Sequence, residues 1–341
     1  MSGNNHLPVN KPVLIWLFSG CALIFLMVVV GGITRLTGSG LSITEWKPIM
    51  GAIPPLNDTE WNIAFEKYKQ IPQFKLINYN FTIDDFKRIF FWEYLHRLIA
   101  RFIGVVFLVP FAIFLLKKVL SPELMKRAIF LFALGGLQGF IGWFMVSSGL
   151  EDLTSVSHIR LGVHLITAFI TFGFTLYFAL ELIEKKPEPG KQNIFLKKSV
   201  RILFSLIIIQ ILYGAFVAGL HAGKIHTTFP LMSGQFIPTD IGAYNGFFNN
   251  IFDNPVTVQF IHRLLAFSIV LYTVWIFIAA KRNELHSLQK SALTFLVVAL
   301  SIQFILGVAT LLTAVNIPLA LAHQAGAFVL FSSGVLLIKR F

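Results

Sequence analysis

A chain of 341 residues that is 56% hydrophobic and 13% charged, with a mean hydropathy of +0.75, is too apolar to fold as a water-soluble globule. Its net charge of +12 invites a nucleic-acid reading. The Lys and Arg residues, however, concentrate in short segments between apolar runs, which makes the charge topological and argues for no nucleic-acid partner. A single cysteine, Cys21, excludes an intrachain disulfide and a thiolate metal cluster.

In chain order, the first apolar run is 13–31. It follows a polar stretch with one Lys and lacks a small-residue cleavage site, so it is predicted to be a retained membrane helix. A long segment, 40–93, comes next and is rich in Trp, Phe and Tyr. Within it "NDTEWNIAFEKYKQ" has the Asn57-to-Glu60 spacing of a capped helix and predicts a short amphipathic helix on the membrane surface, as a lid or as an anchor. Further runs at 95–116, 128–147 and 161–182 lead to a polar Pro- and Gly-containing linker, "EKKPEPGKQN" (184–193). Four more follow at 202–220, 260–280, 292–314 and 318–338. Each is about the 20 residues that cross a bilayer core, and each is continuous where a β-barrel strand would be short and alternating.

The expected fold is therefore an all-α integral membrane protein with eight transmembrane helices. With both termini cytoplasmic, the inside segments hold sixteen Lys and Arg and the outside loops nine, which satisfies the positive-inside rule. The helices repeat as two halves. "GGITRLTGSGLSITEWKPIMGAIPP" (31–55) aligns with "GAFVAGLHAGKIHTTFPLMSGQFIP" (214–238), and "WEYLHRLIARFIG" (92–104) with "VQFIHRLLAFSIV" (258–270). "LQGFIG" (137–142) aligns with "IQFILG" (302–307), and "LGVHLITAFITF" (161–172) with "ALAHQAGAFVLF" (320–331). Four helices per half is an even number, so the halves are parallel repeats, two four-helix bundles with domains 1–190 and 191–341.

Of nine histidines, His6, His158, His221, His226 and His286 fall in polar segments and read as solvated loop residues. His96, His164, His262 and His323 lie inside spans two, four, six and eight, at matched positions of the repeat and near the outer ends. Ionisable groups inside a bilayer are costly and usually functional. Two inward-facing imidazoles per bundle suit axial ligation of a haem iron, one pair being His96 with His164 and the other His262 with His323. Zinc or copper would want three or four converging ligands, and the Glu93–His96 step of a di-iron site lacks further carboxylates. Arg97, Arg101, Arg160 and Arg263 are candidate propionate partners. Gly31, Gly32, Gly135, Gly136, Gly139, Gly142 and Gly307 are expected chiefly to let helices pack closely. Three residues before the shared His, the first half has Glu93 and the second Gln259. A single reactive pocket beside one supporting haem explains the difference.

The eight-helix pattern, "EYLHR" and "QFIHR", His164 and His323, and "RLTGSGLSITEWKPIMGAIPP" together resemble the heme A synthases over residues 13 to 338. The resemblance implies oxidation of the C8 methyl of heme O to a formyl group by two successive hydroxylations, giving heme A for cytochrome oxidase. It implies a low-spin haem b on His262 and His323, substrate haem near His96 and His164, and Glu93 as the catalytic carboxylate, as a general base or as a stabiliser of positive charge. Some members carry a Cys pair in the first outer loop; this chain has none and resembles the cysteine-free, proteobacterial or mitochondrial-type branch. The expected location is the cell inner membrane with haem sites towards the periplasm. Expected partners are heme O, lipid, a heme O synthase and further copies of the chain, and no residue pattern identifies the electron donor. The rival readings are a di-haem b-type cytochrome exchanging electrons with quinone, and a transporter built from parallel repeats.

Overall fold

The computed structural model describes residues 11–46, 50–151, 153–183 and 193–341; His6 and the expected boundary between the halves at 190/191 lie outside them. Eight helices among the described residues are long and apolar enough to cross a membrane. They are α1 (Lys11–Leu36), α4 (Ile83–Leu116), α5 (Pro122–Glu151), α6 (His158–Ile183), α7 (Ile194–Gly219), α9 (Pro255–Lys281), α10 (Ser287–Leu312) and α11 (Ile317–Arg340). Three short helices, α2 (Asp58–Tyr68), α3 (Pro72–Leu76) and α8 (Phe247–Asp253), lie in the connections. No strand occurs among the described residues, only an isolated bridge between Met232 and Gln235. The protein is an all-helical, multi-pass membrane protein.

Local sequence explains the helix starts. Thr82 and Asp85 cap α4 reciprocally, the Thr82 hydroxyl accepting the Asp85 N–H and the Asp85 carboxylate accepting the Thr82 N–H. Asn254 accepts the N–H groups of Val256 and Thr257, and Pro255 supplies the first residue of α9, where its missing N–H costs nothing. Asn57 accepts the Glu60 N–H as its spacing predicts, although the Glu60 carboxylate reaches back to the Leu56 N–H and the Asn57 side chain.

Helices α1, α6, α7 and α11 form the centre. Val28 of α1, Phe169 and Phe172 of α6, Leu203 and Ile207 of α7, and Phe328 and Phe331 of α11 belong to one buried cluster. Gln324 of α11 adds a polar link by donating to the Val28 carbonyl at 2.6 Å. Around this centre, α1 packs on α4, α5 on α6, α7 on α9 and α10 on α11, whereas α4 scarcely touches α5 and α9 scarcely touches α10. The helices are thus parted between α4 and α5 and between α9 and α10. Many large apolar side chains on these flanks, such as Phe102, Val105 and Phe140, face outward, as lipid-facing residues do.

The expected outer loop 40–93 ends earlier than its composition suggests. α4 begins at Ile83, and its first three turns leave the bundle to carry Phe86, Ile89 and Phe90 into a satellite core with Leu41, Phe65, Tyr68 and Ile71. Phe86 and Tyr68 are fully buried there, each worth about 1.5–3 kcal/mol relative to exposure. α2 therefore packs its aromatic face on α4. This extension also corrects the expected depth of His96, which lies more than three turns into its helix.

The candidate functional site

The four in-membrane histidines form two pairs. His96 lies within electrostatic range of His164, and His262 within range of His323. Each ring rests against a glycine of a neighbouring helix. A Cβ added at Gly31 would come within 3.0 Å of His96, at Gly142 within 3.1 Å of His164, at Gly214 within 3.3 Å of His262, and at Gly307 within 2.9 Å of His323. Any larger residue would push the imidazole aside, so these glycines set where the rings stand.

Amide side chains flank the rings, a feature that histidine spacing alone did not reveal. The Gln138 side-chain nitrogen lies 3.2 Å from His164 Nδ1 and donates to the His164 carbonyl at 3.0 Å. Gln210 lies 3.2 Å from His262 Nδ1. The pairing of Gln138 with Gln303 across the repeat was a legible signal; Gln210 had none beyond being polar in an apolar helix. His96 Nδ1 and His323 Nδ1 are buried with no hydrogen-bond partner.

Glu93 is 3% exposed and enclosed by donors. Ser42 Oγ donates to Oε2 at 2.7 Å, the Ile43 N–H donates to the same oxygen at 2.9 Å, and Arg97 Nη2 donates to Oε1 at 2.6 Å. Arg97 also donates to the carbonyls of Ile43 and Glu45 and lies over the Trp46 ring. The segment from Ser42 to Trp46 is thereby strapped onto α4 through an ion pair within one helix. At the repeat offset of 183, the second half uses the same backbone positions with other chemistry. Gln259 donates to the His226 carbonyl at 2.9 Å, and Arg263 donates to the Thr228 carbonyl.

The expected propionate partners differ in engagement. Arg97 is held by the strap, Arg101 donates to the Arg97 carbonyl at 2.9 Å, and Arg160 donates to the Phe144 carbonyl and to Ser147 while covering the Phe144 ring. Arg263 keeps Nε and Nη1 buried without a partner. His158 and His226, expected to be solvated, are half-buried. His158 meets the Phe252 carbonyl and Asp253, and His226 bonds Ser233. The close-packing reading of the glycines holds at Gly32, which lies against Gln324, and fails at Gly135, Gly136 and Gly139, where an added Cβ would meet nothing within 4 Å.

Among the described residues no group of three or more His, Cys, Asp or Glu gathers as a protein-only metal site. Paired imidazoles cradled by glycine, orphaned ring nitrogens and the buried free donors of Arg263 fit an iron macrocycle held from two sides. These features define a multi-pass helical membrane protein with two paired-histidine sites, one beside a carboxylate and one beside an amide.

Comparison with known proteins places it further. Residues 14–335 match the COX15-CtaA model, described as cytochrome oxidase assembly protein, and the chain belongs to that family. It is similar to the heme A synthase of Flavobacterium psychrophilum, 47% identical over 97% of this chain and 98% of that one. The heme A synthase of Flavobacterium johnsoniae is 48% identical over 95% and 96% of the two chains, and that of Nitrosospira multiformis 44% over 96% and 92%.

Proposed function

We propose that the protein is a heme A synthase, oxidising the C8 methyl of heme O to a formyl group by two successive hydroxylations and so supplying heme A for cytochrome oxidase. The observation that carries this reading is the asymmetry of two otherwise equivalent histidine pairs, with buried Glu93 beside the first and Gln259 beside the second. An electron carrier with two alike haems has no use for that difference.

In this reading the half 1–190 takes heme O between His96 and His164, and the half 191–341 holds a resident haem b between His262 and His323. Bound haem b supplies electron transfer. Arg263, with two donors buried and unengaged, would meet a propionate of that haem. Glu93 stands one turn from His96 and carries the charge that the reacting methyl needs nearby, as a base or as an electrostatic stabiliser. Its three donors hold the carboxylate in one place, and the strap they anchor helps to exclude water from the first site.

The basic residues of the connecting segments support cytoplasmic termini and sites towards the periplasmic side of the inner membrane. Heme O synthase is the natural supplier of the substrate, and lateral association with it or with further copies of the chain fits the broad apolar flanks.

Extraction and chromatography of haems from purified wild type and Glu93→Gln tests the proposal. Heme A in wild type, with unmodified heme O accumulating in the variant, is the expected outcome. Haem b alone in both proteins would leave the di-haem cytochrome instead.

A further inference from the structure

Two adjacent glycines of α1 link the two histidine pairs. A Cβ at Gly31 would come within 3.0 Å of the His96 ring, and a Cβ at Gly32 would run into the side-chain amide of Gln324. Gln324 directly follows His323 on α11 and donates to the Val28 carbonyl at 2.6 Å. In the helical pattern of α1 that carbonyl also accepts the N–H of Gly32, four residues on. A short chain of bonds therefore joins one member of each pair. It runs from His323 to Gln324 through a peptide bond, and from Gln324 to Val28 and Gly32 through hydrogen bonds. A peptide bond leads on to Gly31, against which the His96 ring stands.

The matched positions of the repeat lack this chain. Leu165 stands where Gln324 does, and Ile211 and Ala215 stand where Val28 and Gly32 do. A leucine has no side-chain donor, so no bonded bridge of this kind forms between His164 and His262. Leu165 and Ile211 belong instead to the apolar centre. Stability alone does not account for the difference. An interhelical hydrogen bond in a bilayer adds little on average, and the glycine that admits the amide is a poorer helix former than alanine. A polar side chain kept in a membrane-crossing helix at that cost points to a use.

We infer that Gln324 is an electron bridge between the two sites, carrying charge from His323 to His96. This rests on the proposed reading of His262 and His323 as ligands of a resident haem and of His96 and His164 as the seat of the substrate haem. In each event the resident iron passes from ferrous to ferric and the substrate iron from ferric to ferrous. One electron crosses, and no proton moves. Tunnelling decays more slowly along covalent and hydrogen bonds than across a van der Waals gap. The 2.6 Å hydrogen bond of Gln324 is also shorter than the roughly 3.5–4.0 Å of an apolar contact. The bridge is one-sided, so the electron arrives at the ligand that lies one helical turn from Glu93.

The test loads the first site of the purified full chain, carrying its resident haem, with heme A. The formyl group conjugated to the ring separates its absorption from that of haem b, so each iron is followed by itself. A light pulse on an added flavin delivers single electrons, and exchange between the haems is the phase whose rate does not depend on flavin concentration. Gln324→Leu should slow that phase several-fold while the spectra and midpoint potentials of both haems stay unchanged, a result that a merely structural role would not give. Gly32→Ala, which keeps Gln324 but fills its seat, should slow it in the same direction should Gln324→Leu fail to fold. An unchanged rate in a folded variant overturns the bridge, as does a wild type with both haems bound and no such phase. A wild type whose first site takes up no haem overturns the underlying functional reading and the bridge with it.

Discussion

Glu93 accepts the backbone N–H of Ile43, and the equivalent Gln259 donates to the backbone carbonyl of His226, so one backbone position is gripped from opposite sides of its hydrogen-bonding capacity in the two halves. The carboxylate is thus part of the local architecture as well as the candidate for chemistry. Its charge is balanced by Arg97 of its own helix, at 2.6 Å.

The ion pair predicts a compensated double variant. Arg97→Ala strands a buried carboxylate and should cost about 3–5 kcal/mol, with faster amide exchange across Ser42–Trp46. Adding Glu93→Gln removes the stranded charge and should recover most of the loss. Thermal midpoints and exchange rates of the four proteins measure it, and strict additivity would contradict the pairing.

The glycine cradles predict separable losses. Gly307→Val places side-chain atoms where His323 stands and, on the proposal that His262 and His323 hold a resident haem, should deplete it, seen as a lost low-spin spectrum. Gly31→Val acts on His96 in the same way and should abolish heme O conversion while that spectrum persists. Depletion of the resident haem by Gly31→Val would show that the halves do not act separately.

Gln324→Leu removes the one side-chain bond found between α1 and α11 among the described residues. Interhelical hydrogen bonds in bilayers contribute about 0.6 kcal/mol on average, so a small drop in the thermal midpoint in detergent is expected, with both sites kept.

Tyr68 predicts an alkaline weakness of the satellite core. Burial raises its phenol above the ordinary value, opposed by the Asn78 hydrogen bond and assisted by the Glu93 charge. The folded chain therefore holds this proton more tightly than the unfolded one. Its contribution is whole below the unfolded pKa of about 10 and is lost as pH rises through the higher folded value. Tyr68→Phe should flatten that alkaline decline. It should also cost about 1–3 kcal/mol at neutral pH, because Gln73 and Asn78 lose their partner. Protease sensitivity of the 58–82 segment against pH reads both effects.

The sequence by itself determined the eight spans, because bilayer thickness imposes a length and a polarity that need no tertiary knowledge. It also singled out the four in-membrane histidines and the Glu93–Gln259 contrast, because polar groups in an apolar run stand out and a repeat supplies its own comparison. Tertiary structure decided what depends on contacts between distant segments. The helical continuation of α4 back to Ile83 is one such case, since its Phe86, Ile89 and Phe90 look like loop aromatics until α2 folds onto them. The partners of Glu93 are another, because Ser42 and Ile43 lie some fifty residues away and no periodicity links them to it. The glycines of α5 are a third. Composition alone cannot separate a glycine that admits a neighbouring helix from one that leaves space, and only the parting of α4 from α5 shows that Gly135 and Gly139 leave space.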